Sequence, residues 1–392
     1  MKYSCQLTLL LIFAVLFFSC SEKNLLPSFI VKNNLEIPRV FETLSLNAKI
    51  LGLDSLENLG IRDKKTREPL VIQAVDLDKD GIIDELLFQP EIEAKSQRIF
   101  EIFKLSTDNR IENEAHCYSR FVPERTDDYA WENNRVAYRT YGPKAQEMVE
   151  NNIAGGTLSS GIDAWLKKVE YPIINKWYNK ELETDGSYHI DDGEGLDNFH
   201  VGVSRGVGGT AVKVDSVYYS SKNFIQYKTL FNGPIRTSFE LQYGSWDAGG
   251  KLISEKKLIS LDYGSNFSKF EVHLKGTDFL SVGLTLHEND GVVIEESKNG
   301  FISYWQPHGT SELGTAIVST KDVILGSEKF VSSTKDMSNA FLNLKVHQGK
   351  VIFYSGFGWK ESKQYENHEQ WLLDVASFAE KVNSPLVIAL VN

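Results

Sequence analysis

The chain has 392 residues, enough for two or three domains, and its 42% hydrophobic content allows a sizeable core. A formal net charge of -11, with no basic cluster or nucleic-acid motif to offset it, excludes nucleic acid as a main partner. An acidic body can still hold a local cationic pocket for an anionic ligand.

Lys2 is followed by an apolar run from Leu7 to Phe18 and then Ser19-Cys20. The run is short for a bilayer span and reads as the core of a signal peptide over 1–19. Ser19 before Cys20 resembles a bacterial lipobox, although Phe17 and Phe18 are bulkier than its usual pattern. Ordinary secretion with full cleavage is the plain alternative. With a lipid on Cys20, residues 20–33 become a tether to the outer membrane, and Ser21-Glu22-Lys23 resembles a signal for the cell surface. The anchor is then the expected membrane contact. Cys117 alone remains in the mature body, so no intrachain disulfide is expected and Cys117 reads as a small core residue.

From Leu35 to about Thr107 short alternating strands are expected at Val40 to Leu46, Leu70 to Val75, Glu85 to Phe88 and Arg98 to Leu105. Between them sits an acidic loop. Asp76, Asp78 and Asp80 place carboxylates inside a tight turn, Gly81 permits that turn, Ile82 offers a carbonyl, and Asp84 adds a further carboxylate. Hard oxygen ligands in this pattern suit a structural Ca2+. Leu87 stands where an EF-hand has its last glutamate and no helices flank the loop, so it is EF-hand-like only. An acidic turn without an ion is the alternative.

Residues 120–142 interleave Arg120, Arg125, Arg135 and Arg139 with aromatic rings, a mixture that suits sugar recognition through guanidinium forks or ion pairs between domains. Trp165 to Tyr178 has partial helical spacing, interrupted by Pro172. Tyr188 to Gly209 then gathers two histidines, four carboxylates, one arginine and six glycines with no apolar period. It reads as a functional loop, or more plainly as a solvated turn-rich surface. Nine strands follow: Ile225 to Phe231, Ile235 to Tyr243, Lys257 to Tyr263, Ser268 to Leu274, Leu280 to His287, Phe301 to Trp305, Thr315 to Ser319, Leu342 to His347 and Val351 to Phe357. Only the C-terminus, from about Asn367 to Val382, is clearly helical. The fold class is therefore mainly β. A small N-terminal β-sandwich spans 34–108, and a large antiparallel sandwich of the galactose-mutarotase-like kind spans 109–392, with a C-terminal helix.

No G-x-S-x-G, Walker loop, H-E-x-x-H, G-x-G-x-x-G or cysteine metal motif is present. What remains is acid–base chemistry by His, Tyr and carboxylate, with Arg for charge. His189, His200, His287 and His308 lie at strand ends or in the polar loop. Asp197 suits loop-holding, and Glu194 suits either that or acid chemistry. Zinc on His189, Asp191 and His200 has no recognised spacing.

Several motifs carry a resemblance. Arg120-Phe121-Val122-Pro123-Glu124-Arg125, Trp131-Glu132-Asn133, Tyr138-Arg139-Thr140-Tyr141-Gly142, Tyr171-Pro172-Ile173-Ile174-Asn175-Lys176-Trp177-Tyr178, Gly193-Glu194-Gly195-Leu196-Asp197 and Gly356-Phe357-Gly358-Trp359 occur in that order along nearly the whole mature chain. Together they resemble a family of secreted bacterial polysaccharide-utilisation lipoproteins that includes an ulvan oligosaccharide dehydratase. The resemblance implies loss of water from a non-reducing terminal uronic acid, leaving a 4,5-unsaturated uronate, with an acidic oligosaccharide as substrate. Such an elimination needs a base, an acid and a group to neutralise the carboxylate. The chemistry of the residues assigns acid–base work to His189 and His287 with help from Tyr188, carboxylate binding to Arg139 and Arg205, and the sugar wall to Trp305 and His308. A mutarotase-like epimerase or glycoside hydrolase, and a non-catalytic glycan-binding lipoprotein, are the rival readings.

Overall fold

The computed structural model describes residues 26–106 and 116–391. The expected signal peptide, the anchor Cys20 and the first part of the tether lie outside them. Ser28–Lys32, assigned to the tether, is a strand, with Phe29 and Val31 fully buried by the period of two that a strand imposes. It pairs with Gln97–Lys104 on one side and with Val387–Val391 on the other, and Leu59–Asp63 completes an antiparallel sheet of four. A second sheet joins Leu44–Asn47, Glu85–Phe88 and Ile72–Val75. The two enclose Leu46, Ile61, Phe88 and Phe100 as the core of a small sandwich. The division at 108 therefore omits one element. The last strand of the chain returns to the first sheet and covers an edge of unpaired N–H and C=O groups.

The larger part is the expected antiparallel sandwich. One sheet runs in the order Phe224–Phe231, Arg236–Tyr243, Lys251–Asp262, Phe267–Lys275, Lys350–Trp359, Ser311–Ser319, Phe301–His308 and Val292–Glu296, with Trp246–Ala248 beside the third strand. Its inner face shares one apolar core with two five-stranded sheets. The first is built from Val217–Tyr219, Val207–Val214, Phe279–Thr285, Asn339–Lys345 and Ile324–Phe330. The second is built from Gly195–Leu196, Asp163–Lys167, Ala137–Thr140, Asp128–Glu132 and Tyr118–Val122.

Four α-helices are present among the described residues: α1 (Ala48–Leu51), α2 (Pro143–Glu150), α3 (Ile174–Glu183) and α4 (His368–Asn383). No described helix is long and apolar enough to cross a membrane. The expected C-terminal helix is α4, capped by Asn367, whose side chain accepts from the Gln370 amide at 3.1 Å. It lays Trp371, Val375 and Ala379 on the outer face of the large sheet, where loss of a ring such as Trp371 costs about 3–5 kcal/mol. Helix α3 corrects the expectation that only the C-terminus is helical. Pro172 ends the preceding segment and lies outside α3. The start of α3 is capped from afar: the fully buried Glu132 carboxylate accepts from the Ile173 and Ile174 amides at 2.8–3.0 Å and from Lys167 Nζ at 2.9 Å. Cys117 is buried as expected, and burial pushes its thiol well up.

Candidate functional site

The stretch from Tyr188 to Gly209 crosses one end of the sandwich, and two glycines set its path. Gly195 has φ +108°, and a Cβ there would lie 1.9 Å from the Leu166 carbonyl oxygen across a strand pair. Gly206 has φ +59°, with the Ile162 oxygen equally close to a Cβ. Only glycine allows both approaches. Glu194 accepts from Tyr171, Lys176 and Trp177, which ties the loop to α3, so Glu194 holds structure here.

Beneath the loop lies a buried ion network centred on Arg139. Its guanidinium donates to Asp163 Oδ2 at 3.0 and 2.6 Å, to Asp197 Oδ2 at 2.8 Å and to the Tyr188 hydroxyl at 3.2 Å, with Asp128 Oδ2 at 3.8 Å. The rings of Tyr141, Trp165 and Tyr188 surround its charge within 5.1–5.7 Å. Burial raises the carboxyls: Asp128 to about 6 and Asp163 to about 7. Burial, with Asp163 beside it, pushes the Tyr141 hydroxyl far above its ordinary range, and that hydroxyl donates to Asp163 Oδ2 at 3.3 Å.

A cavity of about 660 Å³ opens above this network. Arg139, Tyr141 and Asp197 form its floor, α2 and Gly156 to Leu158 one side, and Asn198 to Val203 the other. His189 stands in its wall, 54% exposed. Its Nδ1 lies 2.5 Å from the Asp197 carbonyl oxygen, an atom that only accepts. The proton therefore sits on Nδ1. The neutral ring then carries its lone pair on Nε2, which no hydrogen bond among the described residues uses. His200 lines the same cavity and reaches Asp336 Oδ2 at 2.9 Å.

The other expected site residues fall elsewhere. Tyr188 is buried behind His189, where its hydroxyl accepts from Arg125 and Arg139. Arg139 reaches the cavity, but its donors are already committed to carboxylates and Tyr188, so it does not offer the open fork expected of it. Arg205 is inside the sandwich, spending its guanidinium on Ser160 Oγ and the carbonyls of Val203 and Thr210 at 2.9–3.2 Å, with burial lowering it to about 10. It lines no part of the cavity. Trp305 corrects the expected sugar wall. Residues 301, 303 and 305 of its strand face α4, whereas Tyr304, Gln306 and His308 face inward, so Trp305 packs among Phe301, Tyr365 and Trp371.

His287 and His308 stand behind the loop as supports. His287 bridges the His200 carbonyl at 2.8 Å and the Gln306 side chain at 3.0 Å, with Phe199 edge-on at 4.8 Å. Both ring nitrogens face oxygens, while Gln306 Nε2 is buried without a hydrogen-bond partner among the described residues. Turning that amide over lets Gln306 Nε2 donate to His287 Nδ1 and leaves the His287 Nε2–H to donate to the His200 carbonyl. His308 Nε2 pairs with Asn198 Oδ1 at 2.8 Å, and burial next to His287 lowers it to about 4. His189, Asp191 and His200 do not converge on a metal point, and Asp191 is paired with Lys168. Among the described residues, the carboxylate oxygens of Asp76, Asp78 and Asp84 do converge, within 4.8 Å of one another. Asp80 is outside that group, accepting from the Ile82 amide, and Ile82 is exposed.

A family model described as "Domain of unknown function (DUF4861)" matches residues 31–388. The chain belongs to the DUF4861 family. It is 55% identical over 382 residues to "Uncharacterized protein P7" of Formosa agariphila, an alignment covering 96% of this chain and 97% of that one. Among solved structures it is similar to an alpha-mannosidase from Enterococcus faecalis V583, with TM-score 0.43, 9% identity and coverage of 93% of this chain and 46% of that chain. It is also similar to a glycosyl hydrolase family 38 protein from Enterococcus faecalis, with TM-score 0.49, 10% identity and coverage of 94% and 47%. The chain thus spans just under half the length of each of those two.

In this DUF4861 chain the residues missed by sequence reasoning are Tyr141, Asp163, Asp128, Asn198 and Asp336. One signal was available. Asp163-Ala164-Trp165-Leu166-Lys167 sets a charge at each end of an apolar run, and where such a strand is buried throughout, as it is here, those charges demand partners.

Proposed function

We propose that this protein is a carbohydrate dehydratase that removes water from the non-reducing terminal uronic acid of an oligosaccharide. The observation that carries this reading is the pairing, in one cavity, of a histidine with a free Nε2 and a tyrosine that stays protonated. In the proposed reaction His189 Nε2 takes the proton from C5. The electron pair left behind forms the C4–C5 double bond as the C4–O bond breaks. Tyr141 gives its proton to the departing hydroxyl, which leaves as water. Proton return from His189 to Tyr141 through solvent restores both groups, and Asp163, with its raised carboxyl, stabilises the hydroxyl between turnovers. The substrate carboxylate lies on the His200 side of the cavity, where Asp336 orients the ring through Nε2 at 2.9 Å, since the Arg139 donors are spent on the floor. The implied product is the one named by the resemblance to the ulvan oligosaccharide dehydratase.

Glycoside hydrolysis is less well supported. It needs two carboxyls free to act across a glycosidic bond. Here Asp197 is held by Arg139, and Asp336 is paired with His200.

The acidic loop is proposed to bind calcium through Asp76, Asp78 and Asp84. The donor set fits: hard oxygens converge, while amides of Lys79 and Gly81 at 2.6 and 2.8 Å orient the Asp76 carboxylate. The ion would brace the hairpin between Ile72–Val75 and Glu85–Phe88 and takes no part in the reaction.

The test uses oligosaccharides ending in saturated uronic acids. Ultraviolet absorbance should rise as the conjugated uronate forms, with loss of one water by mass. His189→Ala should lower kcat by about 10²–10⁴. A hydrolysed or epimerised product, or full turnover by His189→Ala, would overturn the reading.

A further inference from the structure

Asp163 opens the strand Asp163–Lys167 with its side chain fully buried, and charged or titratable groups face it from several elements. Arg139 lies directly opposite on the paired strand Ala137–Thr140 and donates to Oδ2 at 3.0 and 2.6 Å. Tyr141, one residue beyond that strand, donates to the same oxygen at 3.3 Å. Asp197, from the loop, shares the Arg139 guanidinium, and its carbonyl holds His189. Asp128, from the next strand, lies 3.8 Å from that guanidinium and accepts from the Tyr178 hydroxyl at 3.1 Å. Tyr188 accepts from Arg139 at 3.2 Å and from Arg125 at 3.3 Å.

The hydrogen bonds to Asp163 among the described residues all fall on Oδ2. Oδ1 is buried and has no hydrogen-bond partner among those residues, and the same holds for Asp128 Oδ1. Leaving a charged oxygen so placed is far more costly than leaving a neutral one, so a proton belongs there. The charges agree. Asp128, Asp163 and Asp197 set three negative charges against two positive ones, on Arg125 and Arg139, and one proton balances them. Burial, with Asp197 beside it, raises Asp163 to about 7, above Asp128 at about 6. Of these two carboxyls, Asp163 is the one that bonds to Tyr141.

We propose, resting on the reading of Tyr141 as the acid, that Asp163 is a positioning residue that acts in its neutral form, with its proton on Oδ1. As Tyr141 passes its proton to the departing 4-hydroxyl, negative charge develops on the phenol oxygen, 3.3 Å from Oδ2. A carboxylate there opposes that charge and holds the hydroxyl proton toward itself, and a neutral carboxyl does neither. The bonds that change are those of the elimination: C5–H and C4–O break, the C4–C5 double bond forms, and the Asp163 proton stays on Oδ1. The neutral form also removes one negative charge from the floor on which an acidic sugar settles. Turnover thus needs His189 neutral to take the C5 proton and Asp163 neutral behind the acid. The pH profile is a bell, its acid limb set by His189 and its alkaline limb by Asp163.

The test compares Asp163→Ala with Asp163→Asn, which keeps the shape of the neutral acid. Asp163→Ala takes Oδ2 from Arg139 and Tyr141 and should lower kcat by about 10²-fold or more, while Asp163→Asn should recover at least about tenfold of that loss at pH 6. Wild type should lose about tenfold per pH unit above about pH 7, and Asp163→Asn should lack that limb. A residue that only holds shape would leave the limb in place. No recovery by Asp163→Asn, or an alkaline limb unchanged in it, overturns the proposal. Urea unfolding reads the proton without substrate. A carboxyl ordinarily near 4 and raised on folding to about 7 lends stability that fades between the two, so Asp163→Asn should gain on wild type from pH 5 to pH 8. A gap equal at both pH values overturns the proposal. In wild type itself, the infrared carbonyl stretch of a protonated carboxyl should be present at pH 6 and lost at pH 9, and Tyr141→Phe should shift it by removing a donor to Oδ2. Absence of such a band overturns the proposal even where the Asp163 variants fail to fold. The infrared band and the stability gain, found together with no turnover of any uronate, keep the proton on Asp163 and remove the dehydratase reading with its acid.

Discussion

Replacing Arg139 by methionine tests the idea that one cation organises the site. In the folded protein this guanidinium serves Asp163, Asp197 and Tyr188 directly and lies 3.8 Å from Asp128, with all three carboxylates almost wholly buried. The thioether side chain would fill much of the space and leave those carboxylates without their shared partner. Removing one member of a buried ion pair costs about 3–5 kcal/mol, because the remaining charge stays desolvated. The loss has a pH signature. Asp128 and Asp163 already stand raised, at about 6 and about 7, against an ordinary value near 4. A carboxyl raised on folding contributes stability that is fully present below its unfolded value and fades as pH rises through its folded value. Without Arg139 the folded values climb further, so the variant loses more ground to wild type as pH rises. Urea unfolding followed by tryptophan fluorescence reads this directly, since Trp165 lies 5.1 Å from the guanidinium. We expect a deficit of about 3–5 kcal/mol at pH 8 and less than half of that at pH 5. A deficit below about 1 kcal/mol at pH 8, or one equal at both pH values, would refute the network as described.

Tyr141→Phe keeps the ring and removes the hydroxyl that meets Asp163, so kcat should fall by about 10²–10⁴ while the melting temperature barely moves; unchanged kcat would remove Tyr141 from the acid role. His287→Ala should raise KM more than it lowers kcat, because the ring holds the His200 carbonyl and not the substrate; a dead enzyme with ordered loop would return His287 to catalysis. Added calcium should raise the melting temperature, with a stabilisation of about 2.7 kcal/mol at a hundredfold excess over Kd, and Asp76→Asn should abolish the effect; no shift in wild type at millimolar calcium would leave the acidic loop an ordinary turn.

Much of the architecture was legible because it follows local rules. Strand alternation located Glu85–Phe88 to the residue, and the apolar face from about Asn367 to Val382 located α4 within one residue at each end. The missed elements depend on distant partners. Ser28–Lys32 and Val387–Val391 are short and unremarkable alone; the first is held between Gln97–Lys104 and the second, and the second is an edge strand that exists because the first pairs with it. Helix α3 begins where a glutamate some 40 residues upstream takes its first amides. No local cap announces that start, and Pro172, read alone, argues against the helix it precedes.

The site was harder for a related reason. Residue chemistry names groups that can act and does not say which are already engaged. Arg139 and Arg205 have the right chemistry for a carboxylate, yet folding places three aspartates around one and backbone carbonyls around the other. His189 differs by one bond. Its Nδ1 is spent on the Asp197 carbonyl, and that bond is what leaves Nε2 defined and free. Asp197 thus works twice, its side chain bonded to the buried arginine and its carbonyl to the histidine. The loop position of His189 is in this way fixed by Arg139 two contacts away. The arginine expected to bind substrate instead sets the geometry of the base, so disturbing it should misplace His189 before it weakens any sugar contact.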